Sequence, residues 1–464
     1  FFALTICEIA ILTAAGATRC SARAAARLPT LSLSGGRLAS CLFLSSLWPE
    51  PDSSAAGVRT EALLHAFQRW GYDCSFAASS APKSGYVERL QSRGVQAYEC
   101  PPNREAELAR VLERTAPDVV VFDRFFTEEA FSFRVRELAP AALRVLDMQD
   151  MHALRRGRQL VVEQTLEQGA SSDAAIAAAL AHTPSAGSSD LLRELAAVHR
   201  SDLTLVCSPV EQQLLAASYG IPSHKLALAS FFCAEAAPDA QPGERGFGYG
   251  RANGFDARAD FVTVGGFKHP PNVDAVRWLA SDIWPRIRAR MPQAQLRIYG
   301  AYPTAAVQRL HSPDTGLHVC GYAPSLDVLA ASRVLLAPLR YGAGIKGKVV
   351  DAWRYGLPVV ATPIAAEGMR GESGGGGGGG EGSGGGMGRW RAGGGRLGSR
   401  CCRSWQRLTY ASVPSEMRLP LPLDGSAKTD ERESDVESAC AKRANLSGGG
   451  STSTKRPFSV DWSA

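Results

Sequence analysis

From Leu38 onward, short apolar runs alternate with stretches whose apolar residues recur every three or four positions. LASCLFLSS reads as a strand. GVRTEALLHAFQRWG reads as an amphipathic helix, with Leu63, Leu64, Phe67 and Trp70 on one face and Gly71 as its stop. CSFAAS, QAYEC, DVVVFD and LRVLDMQD are further strands, separated by the helices YVERLQSRG, EAELARVLERTAP and a stretch through Phe131–Leu138. LLRELAAVHRS then leads into the strand LTLVCS, the helix PVEQQLLAASYG and the strand KLALAS. Strands that alternate with helices predict βαβ units and a parallel sheet, and near-continuous apolar strands predict helices on both faces. A Gly-, Pro-, Ala- and Asp-rich stretch interrupts the pattern. It then restarts with FVTVGGF, the long helix NVDAVRWLASDIWPRIRARM, and the strands QLRIYG, GLHVCGY, VLLAPL and PVVATP, with SLDVLAASR and KGKVVDAWRYG as helices between them. After Arg370 the pattern stops.

The expected organisation is therefore α/β. A doubly wound, Rossmann-like domain covers 38–235, a linker 236–259, and a second Rossmann-like domain 260–369. Residues 370–464 form a Gly-rich, low-complexity tail expected to be disordered, because glycine has most to lose on ordering and offers no side chain to pack. Residues 1–37 read as a leader. The stretch FFALTICEIAILTAAGA is short for a membrane span, and residues 18–40 hold four arginines and no acid, a composition like that of a secretory or organelle targeting segment. The chain opens on Phe1 and not on Met, which reads as a fragment or an incomplete gene model.

Composition narrows the function classes. At 464 residues the chain is long enough for two or three domains, and 45% hydrophobic residues can build cores in most of it. The net charge of +6 comes without a nucleic-acid-binding motif, so no nucleic-acid partner is expected. The 11 cysteines show no CxxC pair, which argues for free thiols in a reducing compartment and against a zinc site or disulfide framework.

The richest chemistry lies in RYGAGIKGKVVDAWRYG. Gly342, Gly344 and Gly347 let the backbone approach a ligand between a strand and a helix. The helix start, with its exposed N–H groups and positive dipole end, suits an anion, and Lys346 and Lys348 add charge. Asp351, one turn in, is placed to accept from vicinal ribose hydroxyls. Together these features predict a nucleoside diphosphate site at the carboxyl ends of the strands. The bland alternative is a tight strand–helix turn with Asp351 as a dipole-favourable acid. The turn lacks the GK[ST] ending of a Walker A loop, and no GxGxxG follows the first strand. Instead Gly57, after PEPDSSAA, opens a second anion-tolerant helix start, expected to face the first across a cleft.

These segments resemble the retaining GT-B glycosyltransferases of family 4, the glycosyl transferases group 1. PLRYGAGIKGKVVDAWRYGLPVVATPIAAEGM is similar to that family's donor-binding segment. VGGFKHPPNVDAVRWL is similar to the first strand and turn of its second domain, PEPDSSAAGVRTEALLHAF to its N-terminal glycine loop, and DMQDMHALRRGR to a segment near the sugar. The resemblance spans roughly residues 38–369. It departs from the family in four places. Asp351 stands for the second of two glutamates and Ala343 for the first. Only Lys268 supplies a cation after Gly266 and Phe267. Gln149, not His, precedes Asp150, with His152 nearby. Glycine-rich sequence replaces the end of the second domain, which is therefore incomplete.

The resemblance implies transfer of a sugar from a nucleotide-diphosphate sugar to a glycan, lipid or protein acceptor, with retention and with neither metal nor other cofactor. Peripheral membrane contact is compatible with it. It assigns Lys346, with the N–H groups of Gly344 and Gly347, to the diphosphate, and Asp351 to the ribose. Gly57, Lys268 and Glu367 fall to the donor, and Asp150 and His152 to the reacting sugar. The alternatives are a non-catalytic or truncated GT-B remnant that serves as a nucleotide-sugar-binding scaffold, and a sugar epimerase of the same fold. A dehydrogenase fits worst.

Overall fold

The computed structural model describes residues 38–231 and 257–369, and the backbone of Gly388–Trp390. The first part holds strands β1 (Ser40–Ser45), β2 (Asp73–Ala78), β3 (Gln96–Glu99), β4 (Val119–Asp123), β5 (Leu143–Asp147), β6 (Leu203–Val206) and β7 (Leu226–Leu228). They pair in the order β3-β2-β1-β4-β5-β6-β7, parallel throughout. The second part holds β8 (Ala259–Val264), β9 (Leu296–Tyr299), β10 (Leu317–Gly321), β11 (Ser332–Ala337) and β12 (Val359–Ala361), in the order β10-β9-β8-β11-β12. Both orders reverse beside their first strand, so each sheet opens a crevice at the carboxyl ends of its strands. The α/β class and the two doubly wound sheets expected from the strand pattern are both present. β4, fully buried, shows why the pattern was readable: VVVFD is apolar up to its last residue because helices cover both faces.

The structure departs from the pattern at several points. The long helix expected at 272–291 runs as Pro270–Trp278, a π-helical turn at Leu279–Ile283, and Trp284–Arg290. Pro285 has no N–H to donate to the preceding turn, and the wider π turn absorbs the defect. Helices α5 (His152–Glu167) and α6 (Ser172–Ala181) follow β5 where no helix was expected. Val162, Ala175, Ile176 and Ala179 from these two helices join the hydrophobic cluster of the second sheet, so they tie the two sheets together. The expectation of disorder after Arg370 falls outside the described residues except at one place. There Gly388–Trp390 forms a strand, β13, antiparallel to β12. The leader at 1–37 and most of the linker also lie outside the described residues.

Candidate functional site

The site forms where the carboxyl ends of the two sheets meet. In the first sheet, Asp147 closes β5 and receives a two-pronged hydrogen bond from Arg59, with Nη2–Oδ1 at 2.7 Å. Arg59 lies on helix α1 (Ala55–Arg69) and also donates to the carbonyl of Ala229 at 2.5 Å. Asp123, at the end of β4, accepts from Ser45 (2.7 Å) and from the amide of Gln149 (3.0 Å). This buried network fixes the loop Met148–Met151, in which Gln149 takes φ +63°. Asp150 emerges from that loop beside Arg155, and His152 Nε2 lies 3.3 Å from its Oδ1. Burial alone would raise the Asp150 carboxyl, but Arg155 and His152 outweigh it and hold it well below the usual carboxylate range. The His152 ring packs edge-on to Phe125, with centroids 5.4 Å apart.

Across the cleft, the turn after β11 leads into helix α13 (Gly347–Arg354), whose first turn no side chain caps. Gly347 meets the start of α1: a β-carbon on it would lie 2.9 Å from that of Ala55. The two helix starts expected from the sequence therefore do converge. The glycine turn after β8 supports the same spot. A side chain on Gly265 would strike Asn272, which donates to the carbonyl of Gly266 (2.9 Å) and presents its Oδ1 to Lys348 Nζ (2.8 Å). Burial pushes the Lys348 ammonium down to about 8. His269 opens into the same cleft, near Arg155, Asp150, Lys348 and His152. Crowding by the walls and then Arg155 lower its pKa to about 4.

Several expected residues occupy other environments. Lys346 is 7% exposed and donates to the carbonyl of Gly344 at 2.7 Å, so in this structure it clamps its own turn, and the cation at the helix start is Lys348. Gly344, at φ +65°, packs against Asp150, whose β-carbon would lie 2.9 Å from one placed on the glycine. Its N–H goes to Glu211 at 2.8 Å and so has a protein partner already. The N–H of Gly57 is capped by Ser54 at 3.0 Å, and Gly57 is needed because a β-carbon there would lie about 2.5 Å from the backbone of Glu50. Lys268 is exposed, its Nζ 3.6 Å from the centre of the Tyr302 ring. Glu367 accepts two bonds from Arg158, at 2.6 and 2.7 Å, and is held between the sheets. Ala343 packs with the core cluster of the first sheet. Asp351 is half-buried, with Arg354 at 3.5 Å, and burial raises its carboxyl to about 6.

Residues 258–375 match the family model for glycosyl transferases group 1. The resemblance read from the sequence holds over that segment, about a quarter of the chain. No curated protein matches the chain. Among solved structures, similar chains include Anabaena HepE with UDP and glucose, at 12% identity, covering 71% of this chain and 82% of that one with a TM-score of 0.46. A glycosyltransferase from Rickettsia africae is 10% identical, covers 71% and 80%, and has a TM-score of 0.44. Sucrose-phosphate synthase from Thermosynechococcus elongatus is 12% identical, covers 70% and 82%, and has a TM-score of 0.45. Likeness at this level says nothing of activity.

The matched glycosyltransferase segment contains β8 to β12 and all of α13, so Asn272, Lys346, Lys348, Asp351 and Glu367 lie within it, whereas Asp150, His152, Glu194 and Glu211 do not. The last two acids were not anticipated. Glu194 accepts from the N–H groups of His152 (2.7 Å) and Ala153 (2.8 Å), capping α5, and burial raises its carboxyl to about 8. Their partners are backbone N–H groups, which leave no trace in residue spacing. Among the described residues no cluster of three or more His, Cys, Asp or Glu is arranged to hold a metal, and no helix is long and apolar enough to cross a membrane.

Proposed function

We propose that the protein is a glycosyltransferase that takes a sugar from a nucleotide-diphosphate sugar and passes it, with retention and without a metal, to a glycan, lipid or protein acceptor. The observation that carries this reading is the uncapped start of α13. Lys348 is held there by Asn272, with no carboxylate at ion-pair distance among the described residues, and His269 lies near both Lys348 and the Asp150–His152 pair. A helix start and an ammonium together supply what a leaving diphosphate needs. The diphosphate is assigned to Lys348 and the N–H groups of Gly347 and Lys348. The ribose is assigned to Asp351, and the reacting sugar to Asp150 and His152. Lys346 shapes the turn in this reading, Gly57 lets its loop close on the donor, and Lys268 acts at the rim.

A second reading, a nucleotide-sugar-binding scaffold, is favoured by two observations. A buried alanine, Ala343, stands where the resemblance expects an acid, and Glu367 is engaged by Arg158. One experiment separates the two. The protein is incubated with UDP-, GDP- and ADP-sugars and a panel of acceptors, and release of nucleoside diphosphate is followed together with the anomeric configuration of the product. Transfer with retention supports the enzyme. Binding without turnover supports the scaffold, and absence of both overturns the donor site.

A further inference from the structure

We propose that Glu211 is a positioning residue that sets the register between the Asp150 loop of the first sheet and the glycine turn of the second. This rests on the reading of that turn as part of the donor site. Glu211 lies in the first turn of helix α8 (Pro209–Tyr219) and is 1% exposed. A single oxygen, Oε1, accepts from the N–H of Met151 at 3.0 Å and from the N–H of Gly344 at 2.8 Å. The first of these N–H groups directly follows Asp150. The second belongs to the residue whose backbone rests on the Asp150 side chain. One carboxylate thus holds both walls of the cleft at the point where they touch. Oε2 is buried with no hydrogen-bond partner among the described residues, so the carboxylate is held through one oxygen alone.

The surroundings show that the bracket is built and specific. The Gly344 peptide is gripped at both ends, its N–H by Glu211 and its carbonyl by Lys346 at 2.7 Å. Cys207, four residues before Glu211, donates to the carbonyl of Gln149 at 2.7 Å, and its sulfur would lie 3.2 Å from a β-carbon on Gly344. Ser208 presses in the same way on Gly368, where the chain leaves the second sheet. The charged groups near Glu211 include Asp150, which disfavours its ionised form, Lys346, which favours it, and the acid Glu194. Burial dominates them and raises its carboxyl to about 7. Glu211 reaches no part of the assigned diphosphate or ribose contacts. Its effect passes through Gly344 and Met151.

The test is hydrogen exchange on the full chain, read in the segments 340–347 and 148–153, with titration of UDP, GDP and ADP alongside. In Glu211→Ala both segments should exchange roughly tenfold faster or more, as loss of a buried hydrogen bond implies. Strand β6, next to Glu211 in sequence, should keep its protection. Glu211→Gln retains an acceptor oxygen and should restore both segments. Glu211→Asp, too short to reach both N–H groups, should lose protection in at least one, and it carries the test if the alanine variant does not fold. The proposal is overturned if neither segment changes in the alanine or aspartate variant, if glutamine fails to rescue, or if β6 loses protection equally. Wild-type protein that binds no nucleoside diphosphate, while the variants lose protection locally, overturns the donor reading and leaves the bracket standing. Weakened nucleotide affinity with unchanged exchange does the reverse.

Discussion

Replacing Lys348 with methionine should stabilise the free protein and weaken its hold on a diphosphate. Burial lowers the Lys348 ammonium from 10.5 to about 8. At 1.36 kcal/mol per pH unit, that gap is about 3 kcal/mol of destabilisation carried by the charged form in the empty cleft. The folded state binds this proton less tightly than the unfolded chain does. The penalty is therefore full below pH 8 and is relieved as pH rises from 8 toward 10.5. Methionine keeps the length and removes the charge, but forfeits the 2.8 Å bond from the ammonium to Asn272, worth about 1.5–3 kcal/mol. A net gain of up to about 2 kcal/mol should raise the thermal midpoint at pH 7 by up to roughly 4 °C. In calorimetric titration the same variant should lose about tenfold to a hundredfold in affinity for UDP, GDP or ADP, whichever binds, and little for the bare nucleoside. Wild-type affinity should fall between pH 7 and 9 and weaken with salt, and both dependences should flatten in the variant. Lys346→Met is the control. It removes the clamp on Gly344 and should cost stability without a selective effect on phosphate. Unchanged diphosphate affinity in Lys348→Met, or a selective phosphate loss in a fully stable Lys346→Met, would refute the assignment.

Further outcomes follow from the same geometry. Asp351→Ala should weaken nucleoside and nucleoside diphosphate alike and show little salt dependence in titration. Because burial raises the wild-type carboxyl from 3.8 to about 6, its ribose affinity should decline as pH falls through about 6, while the apo protein gains stability over the window from 6 down to about 4. Arg158→Met should cost about 3–5 kcal/mol in denaturant unfolding because it strands Glu367, and the double variant with Glu367→Leu should recover most of that loss. Gly344→Ala should cost at least about 1–2 kcal/mol from its left-handed backbone alone, and more from the contact with Asp150, as measured by thermal unfolding.

The two sheets were legible because buried parallel strands must be apolar along their length, and runs such as VVVFD and VLLAPL announce that directly. Helix α6, SDAAIAAALA, was not. Its residues are apolar nearly all round, so no face stands out, and its partner surface belongs to the other sheet. The glycine turn was recognisable as a candidate ligand loop, but the different environments of its two lysines were not. Lys346 and Lys348 are two residues apart, and which one faces the cleft depends on the torsions at Gly342 and Gly344, which only the packed structure sets. Glu367 sits in the expected loop, yet its partner Arg158 lies more than two hundred residues away on a helix the pattern did not reveal. Ala343 was noticed as a missing acid, and the fold gives that small side chain a place in the core of the first sheet. The sequence thus located the segments that meet between the sheets better than their wiring, because the wiring runs through backbone N–H groups and contacts between the two sheets.

A crystal structure of the protein with a nucleoside diphosphate, UDP, GDP or ADP, whichever titration shows to bind, tests the donor site most directly. The phosphates should lie at the start of α13, within hydrogen-bond distance of the N–H groups of Gly347 and Lys348 and of Lys348 Nζ, with the ribose hydroxyls on Asp351 and the terminal phosphate toward Asp150. A nucleotide bound away from this cleft, or none bound at saturating concentration, would contradict it.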